Sequence, residues 1–441
     1  MANAQENYCT PGNGTTYSFS VLSQTEGAGV KLMEGKPNCY IVEQTDTIAA
    51  GDRFELDNDA TVYFADKASL VIKGEAKLAV DNDKPTTLTR LNENATPYNI
   101  KIDNLEGAEV RSVVFEHIGL ESLSKGSITV DNCQFISHNG SSAAALFFIS
   151  TGMLGTITNS RFESCEKAAI GSAANASQPL NISNCVFERN STRNGNVPQI
   201  NITASTIDID DCQVIGDSTS LTVNNMVGGI GISNFMSFAD TKTTIRNCTI
   251  KHNRYGIGTV GPIDVRIQDN TILNNNHEAN PMNGGSGISL YDPYKQTKAV
   301  IAGNQIGGNH WGITIIGCKD VNVGQPSNSE ADSPGGNILK DNGFDGQLYD
   351  LYNNSTLTVY AQNNTWGVDE QTAEKIESVI FHQADNPSLG LVIYQSDEEL
   401  GIQSAHTATT STAPTFTLQG TKAGKASRRG IYIRNGKKII R

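Results

Sequence analysis

A six-residue core recurs along the middle of this chain: apolar, any residue, Asn, Cys, any residue, apolar. Clear copies are Val130-Asp131-Asn132-Cys133-Gln134-Phe135, Ile182-Ser183-Asn184-Cys185-Val186-Phe187 and Ile245-Arg246-Asn247-Cys248-Thr249-Ile250. Degenerate copies begin at Val110, Ile157, Ile209, Ile267 and Ile301, a weak one lies around Asn337, and the last is Ala361-Gln362-Asn363-Asn364-Thr365-Trp366. The eight starts from Val110 to Ile301 are separated by 20 to 36 residues. Such irregular spacing excludes a string of tandem globular domains. A solenoid tolerates it, because each rung keeps its core register while extra residues leave as loops on one side. Polar residues return five positions after the Cys slot (His138, Asn190, Asn253, Asn275, Asn309, Asn342), and Gly-Ile steps follow in Tyr255-Gly256-Ile257 and Trp311-Gly312-Ile313. The Gly permits a turn and the Ile opens the next buried strand. The pattern over 110–366 predicts an all-β chain, a right-handed single-stranded parallel β-helix. Like residues stack in it roughly 4.8 Å apart, so that Asn amides can bond along the stack.

Composition agrees. With 441 residues, 42 of them Gly, and only 18% charged side chains, the chain suits short strands broken by tight polar turns. A net charge of -13 excludes a phosphate-binding basic face, hence a nucleic-acid partner, and no apolar run is long enough to be a transmembrane segment. Cys133, Cys185, Cys212 and Cys248 share one repeat slot and read as a ladder of small buried thiols; no Cys-x-x-Cys or Cys-x-x-His pair suggests zinc.

Residues 1–4 contain Ala2-Asn3-Ala4, the small-x-small form that ends a signal peptide, which places the mature start near Gln5. Export permits disulfides, and Cys9 with Cys39 is the candidate pair outside the repeats. Residues 5–100 are expected to form an N-terminal cap and the first rungs, and 101–395 the repeats, closed by a short helix at 373–378 and a strand at 389–394. Residues 396–429, rich in Ser, Thr, Ala and Gly, read as a flexible linker. Residues 430–441 read as a strand, an Asn-Gly turn and a strand.

That ending resembles the last motif of the C-terminal sorting signals of type IX secretion cargo in Bacteroidota; Gly430, Tyr432, Gly436 and Lys438 match it. The resemblance implies export by that machinery, to the outer-membrane surface or beyond. The repeats over roughly 50–395 resemble the pectate-lyase-like superfamily of right-handed β-helices, which implies fold but no one chemistry, since its members include lyases, hydrolases, epimerases and adhesins.

Three chemistries are open to such a fold. A glycoside hydrolase needs paired carboxylates at one sugar, and Asp210-Asp211 stands without companions. A lyase needs carboxylates that gather calcium and a base beside them. Asp208 with Asp210, or Asp341, Asp345 and Asp350 near Lys340, are the candidates. A binding face needs aromatic side chains on one side. Tyr291, Tyr294, His310, Trp311, Tyr349 and Tyr352 lie in the inserts and turns where such a face would form. The reading preferred is a secreted or surface-displayed, non-enzymatic binding or adhesion module for a polysaccharide or a host surface; the alternative is a calcium-assisted polysaccharide lyase.

Overall fold

The computed structural model describes residues 7–395, apart from 204, 220–224, 237–240 and 326–332, together with the backbone of four short strands beyond residue 414. Each rung contributes one strand to each of three sheets, met in chain order as sheet I (14 strands), sheet II (13) and sheet III (13). One rung reads Gly107–Arg111 in sheet I, Val113–Glu116 in sheet II and Leu120–Ser122 in sheet III, before Ser127–Asp131 returns to sheet I. All pairing between rungs is parallel from Cys39–Val42 onward, so the fold is a parallel β-helix; the right-handed sense is the one such crossovers take.

The repeat slots explain the rung. The Asn slot is the corner between sheets I and II, where Asn132, Asn159, Asn184, Asp211, Asn247, Asp269 and Asn363 hold φ between 49° and 61°. Asn and Asp accept that left-handed conformation at less cost than other side chains, and so recur there. The next residue points inward. Cys133, Cys185, Cys212 and Cys248 are each 1% exposed. Their thiols lie 3.1–3.3 Å from the carbonyl two residues back, to which the S–H donates. Farther along, the same slot becomes Asn. Asn270, Asn304 and Asn337 each donate a side-chain N–H to the next Oδ1, ending on Asn364, at 2.9 Å every time.

A second amide chain runs at the corner between sheets II and III. Asn190 donates to Gln199 (3.0 Å), Gln199 to Asn253 (2.9 Å), Asn253 to Asn275 (3.1 Å), Asn275 to Asn309 (3.2 Å) and Asn309 to Asn342 (3.0 Å). The Asn342 amide donates at 2.9 Å to the Asp350 carboxylate, whose other oxygen accepts the Gly367 N–H at 2.7 Å. Gln199 bridges the rung where Asp217 occupies the slot; Asp217 turns out to cap Thr219 instead. Inside sheet II, Phe115, Phe135, Phe162 and Phe187 stack face to face at 4.6, 4.7 and 5.0 Å, and the column continues as Val214, Ile250, Ile272, Ile306 and Leu339.

Both ends are closed. At the N-terminal end the helix Phe19–Leu22 inserts Phe19 among the rings of Tyr40, Phe54 and Phe64. At the other, the helix Ala373–Glu377 is followed by the strands Ile380–Phe381 and Val392–Ile393, which add the last strands to sheets III and I. Cys9 and Cys39 are both free thiols, contrary to the disulfide expectation. Cys9 bridges to Thr47 at the head of sheet III, whereas Cys39 opens a strand of sheet II, so the two start on different faces of the solenoid.

Residues 396–441 form a separate unit. The expected linker contains two strands, Thr415–Thr417 and Lys422–Ala423, and the expected hairpin is Ile431–Arg434 paired antiparallel with Lys437–Ile440. The four make one sheet. Tyr432 and Lys438 lie on the hairpin strands, while Gly430 and Gly436 fall outside the described residues.

Candidate ligand groove

The inserts 274–285 and 341–350 leave the solenoid at the corner between sheets II and III. On sheet III the strands Ile257–Val260, Ser286–Asp292, Trp311–Gly317 and Leu351–Asn354 lie side by side. Alternation turns Ile257, Ile288, Ile313 and Leu351 inward and leaves two outward rows, Gly258, Ser289, Thr314, Tyr352 and Val260, Tyr291, Ile316, Asn354. With Pro281, Met282, Asn283 and Gly284 of the insert as a wall, they bound a groove of about 320 Å³.

Aromatic side chains shape it. Trp311 stacks on Tyr352 with centroids 5.3 Å apart, and packs on Tyr349 at 4.6 Å and on Phe344 at 5.3 Å. His310 lies 5.9 Å from Phe344, outside the groove lining. Tyr291, 42% exposed, lines the groove one strand away. Tyr255 lines it on the preceding rung, over a bed of glycines. A Cβ on Gly228 would sit 2.1 Å from a Tyr255 ring atom, so the ring's position demands glycine there. The wall is pinned by backbone carbonyls: the Trp311 indole N–H donates to Pro281 (2.9 Å), His310 Nε2 lies 2.8 Å from the Glu278 carbonyl, and Arg254 Nε donates to Asn283 (2.7 Å).

Of the six aromatic candidates, Tyr291, Trp311 and Tyr352 thus share one groove, and Tyr349 and His310 back it through Phe344. Tyr294 does not join them. It is 64% exposed in the turn that the buried Asp292 carboxylate organises by accepting the N–H groups of Tyr294, Gln296 and Thr297. Tyr255, Met282 and Phe344 were not among the candidates. The signal for Tyr255 was present, since Tyr255-Gly256-Ile257 matches Trp311-Gly312-Ile313 residue for residue.

The carboxylate candidates are not gathered. Asp208 and Asp210 share the outer face of sheet I, but both face the Arg246 guanidinium, at 3.2 and 3.0 Å. Against the cost of burial, the bonds from Arg246 and Asn247 hold Asp210 below its ordinary value. Asp341 is exposed at a left-handed corner, Asp345 is exposed at the tip of the hairpin made by Gly343–Phe344 and Gln347–Leu348, and Asp350 is buried at the end of the amide chain. Burial pushes the Asp350 carboxyl up to about 6, against the pull of Asn342 and Gly367. The candidate calcium clusters of the alternative reading are not formed: among the described residues no three His, Cys, Asp or Glu side chains are grouped so as to hold a metal ion. Two of the interior thiols are no better placed as ligands. Burial pushes those of Cys133 and Cys165 up to about 12, the wrong direction for ligand thiolates.

Residues 61–314, more than half of the chain, match the family described as periplasmic copper-binding protein (NosD). No curated protein matches the sequence. Among solved structures, a single-substitution variant of the periplasmic alginate epimerase AlgG superposes with a TM-score of 0.51 at 10% identity, over 86% of this chain and 84% of that one. A second AlgG variant gives 0.46 at 9% identity over 86% and 83%. At such identities the likeness is one of fold.

Proposed function

This chain belongs to the NosD family, and we propose that it is an exported, non-enzymatic binding module that holds a glycan in the aromatic groove on sheet III. One observation carries this reading: Tyr255, Tyr291, Trp311 and Tyr352 line a single groove whose other lining residues include no carboxylate, histidine or lysine. Aromatic faces stack on the apolar faces of sugars, and the side chains that most often run general acid–base chemistry, His, Glu, Asp and Lys, do not line the groove. The carboxylates that a calcium-assisted lyase would need are spread over sheet I, a hairpin tip and two separate turns. The copper in the family's description finds no matching donor set among the described residues.

The exported location rests on the family's periplasmic description and on the resemblance of residues 430–441 to a type IX sorting motif, which points to display on, or release from, the outer membrane of a Bacteroidota cell. A panel of immobilised glycans probed with wild-type protein and with Trp311→Ala tests the binding. Retention on at least one glycan, lost in the variant, is expected; no retention on any, or retention indifferent to Trp311, overturns the reading. Export is tested apart from it, by locating protein with and without residues 430–441 in cell fractions; equal release of both overturns the sorting role.

A further inference from the structure

We infer that the sugar unit held in the groove carries a methyl group, as a 6-deoxy or an N-acetylated sugar does, and that this methyl seats on the outward row Val260, Tyr291 and Ile316; this rests on the glycan-binding reading above. The column to which the row belongs runs, rung by rung, Thr203, Ser233, Val260, Tyr291, Ile316, Asn354. It is polar on the two rungs before the row and again on the one after. It turns apolar on three consecutive rungs, and all three of those side chains line the groove. The core has no claim on them, because Ile257, Ile288 and Ile313 of the same strands point the other way and are fully buried. Met282 of the wall, 81% exposed, adds apolar surface that the protein leaves bare. A local apolar patch on an otherwise polar face marks a place where something else docks.

The next outward column supplies hydrogen-bonding groups. It reads Gly258, Ser289, Thr314 and then Tyr352. Ser289 and Tyr291 stand two residues apart on one strand, roughly 6.6 Å, a distance that one sugar ring and one substituent span. A ring within reach of Trp311 and Tyr352, with hydroxyls toward Ser289 and Thr314, therefore brings a substituent over Val260 and Ile316. An unmodified hexose would set a hydroxyl there. Neither side chain offers it a donor or an acceptor, and a hydroxyl desolvated without a partner weakens binding. A methyl in the same place leaves water for an apolar surface.

Matched sets of immobilised sugars test this. Each set, in the gluco-, galacto- or manno-configuration, holds the parent hexose, its 6-deoxy form and its N-acetylated amino-sugar form, coupled through the anomeric carbon by one linker and probed with the full chain. In at least one set a methyl-bearing member is expected to bind about tenfold more tightly than its parent. Whether that member is the 6-deoxy or the N-acetylated one identifies the source of the methyl. Val260→Ser combined with Ile316→Ser, which continues the polar column from Ser233, is expected to bring the pair to near parity while the parent is bound as before. Both side chains face outward, and the wild-type comparison stands without the variant. Equal binding of parent and methyl-bearing members in every set, or binding to none of them, overturns this inference alone if Trp311-dependent retention on the glycan panel persists. A preference that survives the double variant overturns the seat on the row. No retention on the sets or on the panel sinks the inference and the reading beneath it together.

Discussion

The two halves of the solenoid use their large side chains in opposite ways. From Phe115 to Phe187 the rings are inside, stacked face to face, and the inward slot at the first corner holds the small side chains Cys133, Ser160 and Cys185. Beyond Val214 the inner column is aliphatic, Cys248 is the last thiol at the first corner before amides take over from Asn270, amides fill the second corner from Asn253 on, and the conspicuous aromatic residues, Tyr255, Tyr291, Trp311 and Tyr352, line the groove on the outer side of sheet III. An interior closed by directed hydrogen bonds holds each corner in one register, and the half that carries the groove is the half built that way. The first half is held by burial, which is stronger but less directional.

Several measurements break or sharpen this contrast. The largest effect is expected for Phe135→Ala, in the middle of the ring stack: about 3–5 kcal/mol lost in chemical denaturation, since the cavity cannot close between two flanking rings. A loss under about 1 kcal/mol would mean that the stack is not what holds the first half. Next comes Asn309→Ala. It strips one partner from Asn275 and from Asn342 together, and each buried amide left unpaired costs about 1–3 kcal/mol. Cys185→Ala in the other half removes only a small apolar group and is expected to cost clearly less, on the order of 1 kcal/mol. Equal losses would erase the distinction between the two corner fillings.

Two buried titrating groups, one in each half, pull in opposite directions. Burial first, with Lys167 and His117 adding to it, lowers His138 to about 3, so its folded value lies below its unfolded one. Its neutral form contributes stability that is lost as pH falls below about 6.5. Asp350, raised to about 6, contributes stability that is full below about 4 and lost as pH rises through 6. Between pH 7 and 5 each contribution is on the order of 1–2 kcal/mol, and they offset. Asp350→Asn is therefore expected to lose stability more steeply on acidification than wild type, and His138→Asn to gain it. Parallel unfolding curves for all three across that window would contradict both assignments. The smallest effect belongs to Tyr291→Ala, within about 0.5 kcal/mol of wild type in denaturation, because its ring packs on the outside.

How much of this was legible depended on whether the determinant is local. The corner at Asn132 or Asn184 is set by the residue's own backbone conformation, so the repeat revealed it, and inward Cys133 and Phe135 followed from alternation. The end cap at Ala373–Glu377 was legible for the same reason. What escaped depends on contacts across the repeat. Gln199 enters the amide chain 54 residues before its partner Asn253, from outside the slot that defines the ladder. Asp350 looked like a calcium ligand because its neighbours in sequence are acidic, but it faces Asn342 and Gly367, not Asp341 or Asp345. Within the groove, Trp311 and Tyr352 were recognisable as candidates but their stacking was not, since it is fixed by neighbouring rungs. The place of Tyr255 is likewise set by neighbouring rungs, where Gly228 leaves room for its ring.

The amide chain from Asn190 to Asp350 has a direction, each side chain giving a hydrogen toward higher residue number and receiving one from behind. A duplicated rung spliced between Asn275 and Asn309 would take its place in that relay unnoticed. One appended past Asp350 would meet a carboxylate with no hydrogen to hand on. Growth by duplication is thereby steered to the interior of the array, and the solenoid's length can drift across generations while its terminus stays put.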